Sequence, residues 1–554
     1  MGITVVFLLL SFLSSVYGKT HRFPLSIDTK VIAPDGFARS AITPNGTFPG
    51  PTFKVNKGDD VHIVTTNNLA DPGMRRSTSI HWHGFFQART SVMDGPSFVN
   101  QCPIPPKSTF DYAFSTIGQS GNYWYHSHLS TQYCDGLRGA FIVYDPHDPL
   151  AHLYDVDDDS TIITLADWYH DLAPDAQNRF FQTGSVPIPD SGLINGVGRY
   201  NGGPLVPYSV IKVKRGKRYR LRLISISCRP FFTFSIDNHN ISAMEFDGVE
   251  HDPVTVQNID IYAAQRVSVI LEANQPIGNY WIRAPPTGGN PAGNPNFNPD
   301  LTRAILQYEG APDREPTTNN TPGIKLDDAD MHPIAQEWPG KLGDGPPDVA
   351  YTLSITQPNP PFFDINGISY ISPTVPVLLQ ILSGAAQPQD FLPSEQVSLA
   401  HHDYVFIVLK PELGLIRSTV RSVLNNWSSI SQAVWTVHGH NFDIVRTSNS
   451  DVTNYVNPPR RDVVPSALPS IISFLDINVL AQSTAETRHS GSSAQDNPGA
   501  WFLHCHIDWH LEAGLAIVFA ESPADNIEGP HAQVTPQDWL TLCPDYNALS
   551  PDLQ

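Results

Sequence analysis

Three metal-ligand residues stand in a row near the C-terminus, at His504, Cys505 and His506, and His510 follows four residues after them. In an extended strand, successive side chains point to opposite faces, so Cys505 would face one side and both neighbouring histidines the other. A thiolate with imidazoles is the soft, low-coordinate ligand set that copper favours in electron-transfer sites. One strand could therefore serve two metal sites that are joined by a few backbone bonds.

Pairs of histidines separated by one residue occur four times in the chain. On a strand, each pair places two imidazoles on one face. A single pair is more typical of a surface or a satisfied core, but eight imidazoles that face one another exceed the needs of one zinc ion and favour a cluster of several redox metals. The pairs are His81-Trp-His83, His126-Ser-His128, His438-Gly-His440 and His504-Cys-His506.

An internal repeat positions these pairs. Residues 121–128 (GNYWYHSH), 278–285 (GNYWIRAP) and 499–506 (GAWFLHCH) share an initial glycine and aromatic residues at fixed offsets. The preceding segments 53–58 (FKVNKG) and 211–216 (IKVKRG) recur at nearly the same spacing, which indicates a true repeat. The middle copy has Arg283 and Pro285 where the outer copies have histidines, so we expect the metal chemistry between the first and third domains.

Each copy lies among short alternating apolar runs bounded by Gly, Pro, Asn and Asp, which predicts antiparallel strands. The fold class we expect is all-β, with three Greek-key β-barrel or sandwich domains. Pro- and acid-rich segments interrupt the strand pattern near 145–149 and 310–316. We therefore predict a signal peptide at 1–18 and domains at 19–149, 150–311 and 312–554.

Composition restricts the partners and the compartment. The chain of 554 residues has a formal net charge of −20, which repels phosphate backbones and argues against nucleic acid as a partner. The apolar N-terminal run predicts a secretory signal with cleavage after Gly18, and no later stretch is apolar enough to predict a membrane span. Five cysteines leave one free thiol in an oxidising compartment. Sequons suited to a secreted surface begin at Asn45, Asn240, Asn319 and Asn426.

The sequences of the histidine motifs resemble those of fungal laccases, which are blue multicopper oxidases with three cupredoxin domains. The resemblance is carried by SIHWHGFFQ at 79–87, WYHSHLSTQYCDGLRG at 124–139 and WFLHCHIDWHLEAGL at 501–515. It extends over most of residues 30–390 and 499–545. A cupredoxin fold for all three domains is what this resemblance implies.

The same resemblance implies roles for individual residues. Cys505 and His510 match type-1 copper ligands, Leu515 matches the non-ligating axial position, and His81 matches a type-2 ligand. Asp94 and Asp508 match the acids credited with supplying protons to oxygen. The type-3 ligands would be His83, His126, His128, His438, His504 and His506, and the disulfides would be Cys102–Cys543 and Cys134–Cys228, which leaves Cys505 free.

In the family that the chain resembles, small phenolic or aromatic-amine substrates each give up one electron at the type-1 copper. The electrons pass through the cysteine to a trinuclear cluster that reduces dioxygen to water. The resemblance thus implies an oxidoreductase with four copper ions per chain, one type-1, one type-2 and two type-3. With the predicted signal peptide, we expect a secreted monomer that is independent of membranes and acts in lignin degradation or pigment chemistry.

The third histidine motif departs from the family pattern H-P-x-H-x-H-G-H, because residues 433–440 read AVWTVHGH. Ala433 occupies the position of the second type-1 histidine, and Thr436 that of the second type-2 ligand. Segments 413–434 and 465–494 also depart from the expected strand pattern. Three explanations are open: a gene-model error near these segments, an evolved loss of ligands, or a two-residue slip that makes His438 and His440 the ligand pair. Sequencing the transcript tests the first of them.

Arg229 is a further departure, since many fungal laccases have an acid directly after the cysteine that corresponds to Cys228. A cation would not accept a phenolic proton, so the substrate preference is open.

A ferroxidase or an ascorbate oxidase is an alternative function, although no set of acids beside the type-1 site is identifiable for iron. A copper-binding secreted homologue with impaired catalysis is the other alternative, and it depends on Ala433 and Thr436.

Overall fold

The computed structural model describes residues 18–319, 323–334, 349–395, 397–400, 405–411, 432–446, 454, 457–467, 473–477 and 497–554. Most of the predicted signal peptide, the sequon at Asn426 and most of the two departing segments at 413–434 and 465–494 lie outside these residues.

The alternating apolar pattern produces strands throughout the described chain, and the predicted all-β class is confirmed. The strands form three successive pairs of sheets. The first pair contains β1 (Thr20–Ile32), β2 (Arg39–Pro44), β3 (Gly50–Asn56), β4 (Asp60–Asn67), β5 (Ile80–His83), β6 (Thr109–Ser115), β7 (Gly121–Ser127) and β8 (Arg138–Tyr144).

Among the described strands, the second pair of sheets has the most members, and the sequence of this unit has none of the repeated histidine pairs. It contains β9 (Ile162–Trp168), β10 (Ser191–Ile194), β11 (Val197–Gly198), β12 (Val210–Val213), β13 (Arg218–Ser225), β14 (Phe232–Ile236), β15 (Ile241–Phe246), β16 (Val249–Val256), β17 (Asn258–Ile261), β18 (Arg266–Glu272), β19 (Asn279–Arg283) and β20 (Arg303–Tyr308).

The third pair of sheets contains the strand that the motifs depend on. Its members are β21 (Val349–Asn359), β22 (Phe362–Ile365), β23 (Val397–Ala400), β24 (Val405–Pro411), β25 (Gln432–Val437), β26 (Phe442–Arg446), β27 (Arg460–Arg461), β28 (Val463–Ala467), β29 (Ser473–Ile477), β30 (Gly499–Cys505) and β31 (Ala516–Glu521). The α-helices are α1 (Ala173–Thr183), α2 (Val377–Leu382), α3 (Asp508–Glu512), α4 (Pro523–Ile527) and α5 (Gln537–Asn547).

The sequence repeat reappears in the strand pairing. The sheets run β2-β1-β4-β6 and β3-β8-β7-β5, then β11-β10-β9-β13-β18-β15-β16 and β12-β20-β19-β14-β17, then β22-β21-β24-β29-β26-β27 and β23-β31-β30-β25-β28. The repeated Gly-aromatic segments are β7, β19 and β30, and each pairs antiparallel with the next strand along the chain. That following strand pairs in parallel with β3, β12 or β23, so the three units share one topology.

The end of the described chain returns to the first pair of sheets. Both disulfides that the resemblance implied are formed, and Cys102–Cys543 joins α5 to a loop before β6. Trp539 of α5 is buried among the side chains of the first unit and donates to the carbonyl of Asn100 at 3.0 Å. Within the described residues, no helix is long and apolar enough to cross a membrane.

A buried arginine joins all three units. Arg266, at the start of β18, donates to both carboxylate oxygens of Asp462 at 2.5 and 2.7 Å and to the carbonyl of Asn122 at 2.9 Å. Asp247 adds a second carboxylate at 3.6 Å, and this aspartate also accepts from Arg461 at 2.7 Å. These groups are buried, so removing one partner would leave an uncompensated charge.

We expect Arg266→Met to lower the free energy of unfolding by about 3–5 kcal/mol, because Asp462 would then lie buried without its partner. The urea midpoint followed by tryptophan fluorescence measures this change. Arg218→Met is the matched control, since Arg218 forms an exposed pair with Asp155 and should shift the midpoint far less. Equal shifts in the two variants would contradict the role of Arg266.

Candidate metal centre

Strand β30 divides its ligands between two sides, as strand parity predicts. His504 lies on one side, where its Nε2 is 3.0 Å from Nε2 of His438 and 3.4 Å from that of His128. Cys505 lies on the other side, and its Sγ is 3.6 Å from Nδ1 of His510. The same few backbone bonds therefore connect a thiol site to an imidazole cluster.

The cluster itself forms where the first and third units meet. Strands β5 and β7 pair with His81 opposite His126, which aligns the two histidine pairs of the first unit. Ring centroids lie 5.0 Å apart for His83 and His506 and 5.2 Å apart for His126 and His506. Seven buried imidazoles meet there, from His81, His83, His126, His128, His438, His504 and His506.

The expectation of eight facing imidazoles is wrong, because His440 points elsewhere. Strand β25 ends at Val437, and Gly439 turns the chain with φ +74°. A side chain at Gly439 would also overlap the Trp501 ring, at 2.6 Å. His440 packs edge-on against Trp501 and lies 3.1 Å from Glu521. The two-residue slip is therefore wrong as well, since strand parity does not extend to His440.

The imidazole cluster suits metal cations. Nitrogen atoms of His83 (Nδ1), His126 (Nε2) and His506 (Nε2) are buried without a hydrogen-bond partner among the described residues. Three groups of ligand atoms lie within 4.8 Å of one another: His81, His83 and His126; His128, His438 and His504; and His81, Asp94 and His438. Burial holds the pKa of His126 well below its usual range, as does repulsion from His506, so its lone pair stays available. Buried neutral imidazoles with free lone pairs are the donors that copper accepts.

The thiol side is less complete. Burial raises the pKa of Cys505 to about 12, so this free thiol stays protonated until a metal displaces the proton. The backbone N–H of Cys505 donates to the carbonyl of Leu515 at 3.1 Å, which ties the axial position to the ligand strand. Trp435 is the partner of Cys505 in the strand pairing, so the two side chains point to the same face of the sheet. Ala433 lies two residues before Trp435 in β25 and therefore points to that face as well. A buried methyl group thus occupies the position of the missing imidazole, and the thiol site offers one Cys and one His.

Thr436 likewise places a side chain without an imidazole at a ligand position, here in the cluster. It pairs with His504 in register, so its side chain shares the face of the cluster. The Thr436 hydroxyl donates to the carbonyl of Asp462 at 3.0 Å, and the side chain is buried. The predicted type-2 set therefore keeps His81 as its imidazole, while a hydroxyl stands in the second position.

Asp94 orients two of the imidazoles. It follows a 3₁₀ turn at Ser91–Met93, and its carboxylate lies 2.8 Å from Nδ1 of His438. Nδ1 of His81 lies 2.8 Å from the carbonyl of Asp94. Contacts to the second ring nitrogen fix the tautomer and leave Nε2 free for a metal. Burial also raises the pKa of Asp94, which favours a carboxyl that holds a proton beside the cluster.

Asp508 lies on the other flank, at the start of α3. It lines a small cavity with His126, His128 and His504. Burial, followed by the charges of Glu512 and Asp167, raises the pKa of Asp508 well above its usual range. A protonated carboxyl beside the cluster can act as a proton donor, as the resemblance implied.

Asp462 also lies beside the cluster, although the sequence patterns did not predict a role for it. Its Oδ1 lies 3.5 Å from Nε2 of His83, and its carboxylate receives the two hydrogen bonds from Arg266. Burial raises the pKa of Asp462 to about 6, against the charge of Arg266. The only local signal is the charged run Arg460-Arg461-Asp462 before an apolar strand, which indicates buried ion pairs but not their partners.

Comparisons with known proteins agree with this geometry. Family models described as multicopper oxidase match residues 26–148, 159–311, and 370–469 with 477–525. The chain is 63% identical to Laccase-1 of Agaricus bisporus over 543 residues, or 98% of each chain. It is 47% identical to Laccase-4 of Trametes villosa, over 95% of this chain and 94% of that protein.

Solved structures show the same fold. The laccase of Botrytis aclada matches with a TM-score of 0.78 and 30% identity, over 96% of this chain and 93% of that one. Fet3p, described as a multicopper oxidase that functions in iron import, matches with a TM-score of 0.79 and 27% identity, over 97% and 98% of the two chains.

We expect Thr436→His to raise the copper content after reconstitution by about one ion per chain, because the new imidazole would face His81 and the cluster. Elemental analysis measures the content, and electron paramagnetic resonance shows whether a type-2 signal appears. Thr436→Val is the matched control, since it removes the hydroxyl without adding a ligand. Unchanged copper content in the histidine variant would contradict the proposed orientation of residue 436.

The metal-free protein should lose stability in acid. Burial lowers the pKa of His504 and His510 to about 3, whereas unfolded imidazoles titrate near 6.5. Between these values the unfolded chain binds more protons, so stability is complete above about pH 6.5 and falls by about 1.4 kcal/mol per pH unit for each such imidazole below it.

Urea midpoints of the metal-free protein at about pH 7 and about pH 5 measure this loss. His504→Gln should reduce the slope. Thr66→Val, which removes no titrating group, should leave the slope unchanged. A midpoint that is the same at both pH values would contradict the burial of neutral imidazoles.

Proposed function

Because the chain belongs to the multicopper oxidase family and, within it, to the fungal laccases, we propose that it is a secreted enzyme that oxidises phenols with dioxygen. Copper is the cofactor, with four ions per chain in this family. The observation that carries the proposal is the split at the end of β30, which gives Cys505 to one site and gives His504, with His506 directly after the strand, to another.

We assign the type-1 site to Cys505 and His510, with Leu515 at the axial position, and the type-2 site to His81. The type-3 ligands fall into two groups by distance. His128, His438 and His504 form one group, and His83, His126 and His506 form the other. Bound copper supplies the one-electron redox chemistry at these sites.

The residues of the chain supply the route and the protons. An electron that enters at the Cys505 thiolate needs only the backbone bonds to its two chain neighbours to reach His504 and His506. Reduction of one dioxygen to two waters consumes four electrons and four protons, and four phenols release the same numbers. Asp94 and Asp508 both lie beside the cluster, and burial, which raises the pKa of each, suits them to hold and deliver those protons.

Secretion is supported by the predicted signal peptide at 1–18 and by two disulfides, which suit an oxidising compartment. The predicted glycosylation sites Asn45, Asn240 and Asn319 are exposed. We further propose an extracellular monomer that acts on small phenols or aromatic amines, with lignin degradation as its setting. The domain limits 19–149, 150–311 and 312–554 remain predictions.

A second candidate is a secreted copper-binding homologue with impaired catalysis. Ala433 and Thr436 favour it, because each replaces an imidazole by a side chain that cannot hold copper in that way. The remaining ligands would still bind metal, while electrons would enter poorly through a type-1 site with one histidine.

We expect the double variant Ala433→His/Thr436→His to oxidise 2,6-dimethoxyphenol at least ~100-fold faster than the chain as written, since even contacts behind the ligands change activity ~10–100-fold. Oxygen uptake measures the rate, and the strong visible band of a copper thiolate reports the type-1 site. Adding Cys505→Ser to the double variant is the control and should abolish both signals. Inactivity of the fully copper-loaded double variant would refute the laccase proposal.

A further inference from the structure

A cleft of about 1010 Å³ opens between the first and second units. Phe37, in the turn between β1 and β2, forms one side of it with a partly exposed ring. Tyr169, Ile188 and Arg229 line the part that belongs to the second unit. The cleft is thus large enough for a small aromatic molecule and carries both apolar and charged groups.

The other charged groups in the cleft are already paired. Asp190 accepts from the side-chain amides of Asn294 and Asn296 and from the backbone N–H of His170, at 2.7–3.1 Å. Asp171 forms an ion pair with Arg179. These acids therefore do not oppose an anion as strongly as free carboxylates would.

Arg229 is different. Its Nη1 donates to the carbonyl of Pro187 at 2.7 Å, and no carboxylate of the described residues lies within ion-pair distance of it. The nearby Asp167 is engaged by Arg138 at 2.9 Å and by the hydroxyl of Tyr169 at 3.0 Å. A guanidinium stays charged at any ordinary pH, so this cleft contains a cation without a counter-ion.

The backbone beside Arg229 leaves its planar group accessible. Gly288 has φ +81°, and a side chain there would lie 3.6 Å from Cζ of Arg229. The guanidinium therefore lies against a bare glycine, with Nη2 and Nε not used by a hydrogen bond among the described residues. Two such donors in one plane match the two oxygens of a carboxylate.

The cleft adjoins the proposed type-1 site. The carbonyl of Cys228, directly before Arg229, accepts from the backbone N–H of Asp508 at 3.0 Å. Tyr169, which lines the cleft, lies 3.4 Å from Nε1 of Trp509. His510, which we assign to the type-1 site, directly follows Trp509 in the chain.

We propose, on the basis of the laccase function proposed above, that this cleft selects phenols that carry a carboxylate. Arg229 binds the carboxylate, and the aromatic ring lies in the part of the cleft lined by Phe37, Tyr169 and Ile188. Hydroxybenzoates and hydroxycinnamates have this chemistry. An acidic side chain at position 229 would repel the same molecules, so the residue sets which phenols enter.

Binding without turnover tests the selection directly. The probes are 4-methoxybenzoate, which has no phenolic hydroxyl to oxidise, and its neutral methyl ester, titrated calorimetrically into the full chain as written. We expect the acid to bind at least ~10-fold more tightly than the ester, because a hydrogen bond to a charged group is worth about that factor or more. Arg229→Gln should abolish the difference.

Arg179→Gln is the matched control, since this arginine lines the same cleft but is paired with Asp171. It should retain the preference for the acid. Arg229→Lys keeps the charge without the planar fork and should give an intermediate preference, which covers the case in which the glutamine variant fails to fold. Equal binding of acid and ester to the parent chain, or a preference that survives in Arg229→Gln, would overturn the proposal.

A kinetic comparison separates this inference from the function it rests on. In the Ala433→His/Thr436→His variant, kcat/KM for 4-hydroxy-3-methoxycinnamate should exceed that for its methyl ester by a similar factor, mainly through KM. Adding Arg229→Gln should remove this ratio, mainly by raising KM for the acid. Inactivity towards every phenol together with selective binding of the acid would refute the laccase function alone, whereas active oxidation without selectivity would refute the role of Arg229.

Discussion

Seven imidazoles that share one buried space impose the constraint on which this structure depends. Burial and the neighbouring rings lower the pKa of six of them, so a positive charge on any of these six is unfavourable. Four come from the first unit and three from the third, so the cluster exists only while the two units stay docked. Arg266 stabilises that contact, since it donates hydrogen bonds to Asn122 of the first unit and to Asp462 of the third.

Much of this arrangement could be predicted from the sequence, because strand parity is a local property. The spacing of His504, Cys505 and His506 fixes which side each one faces, and the repeat shows which strands are equivalent. Parity fails at His440, where the strand has ended and Gly439 turns the chain. The pairing of Asp462 with Arg266 was beyond prediction, because two residues 196 positions apart meet through the packing of whole units.

The third motif shows that register and ligand chemistry are separate properties. Thr436 and Ala433 keep the strand positions of the residues they replace, and each remains buried in a well-packed strand. Hydrogen bonding and apolar packing hold β25 in place whether or not these side chains can bind metal. A fold can therefore keep the geometry of a site after part of its chemistry has been removed, and only measurements of copper and turnover distinguish the two.

The link between Cys102 and Cys543 also has a consequence for synthesis. The two cysteines are 441 residues apart, so at about 5–20 residues per second the first waits roughly 20–90 s for its partner to be made. The apolar surface that Trp539 later covers stays exposed over the same interval. The first unit is thus the first to be translated and the last to be completed, and chaperones or thiol oxidoreductases would meet it with that thiol still free.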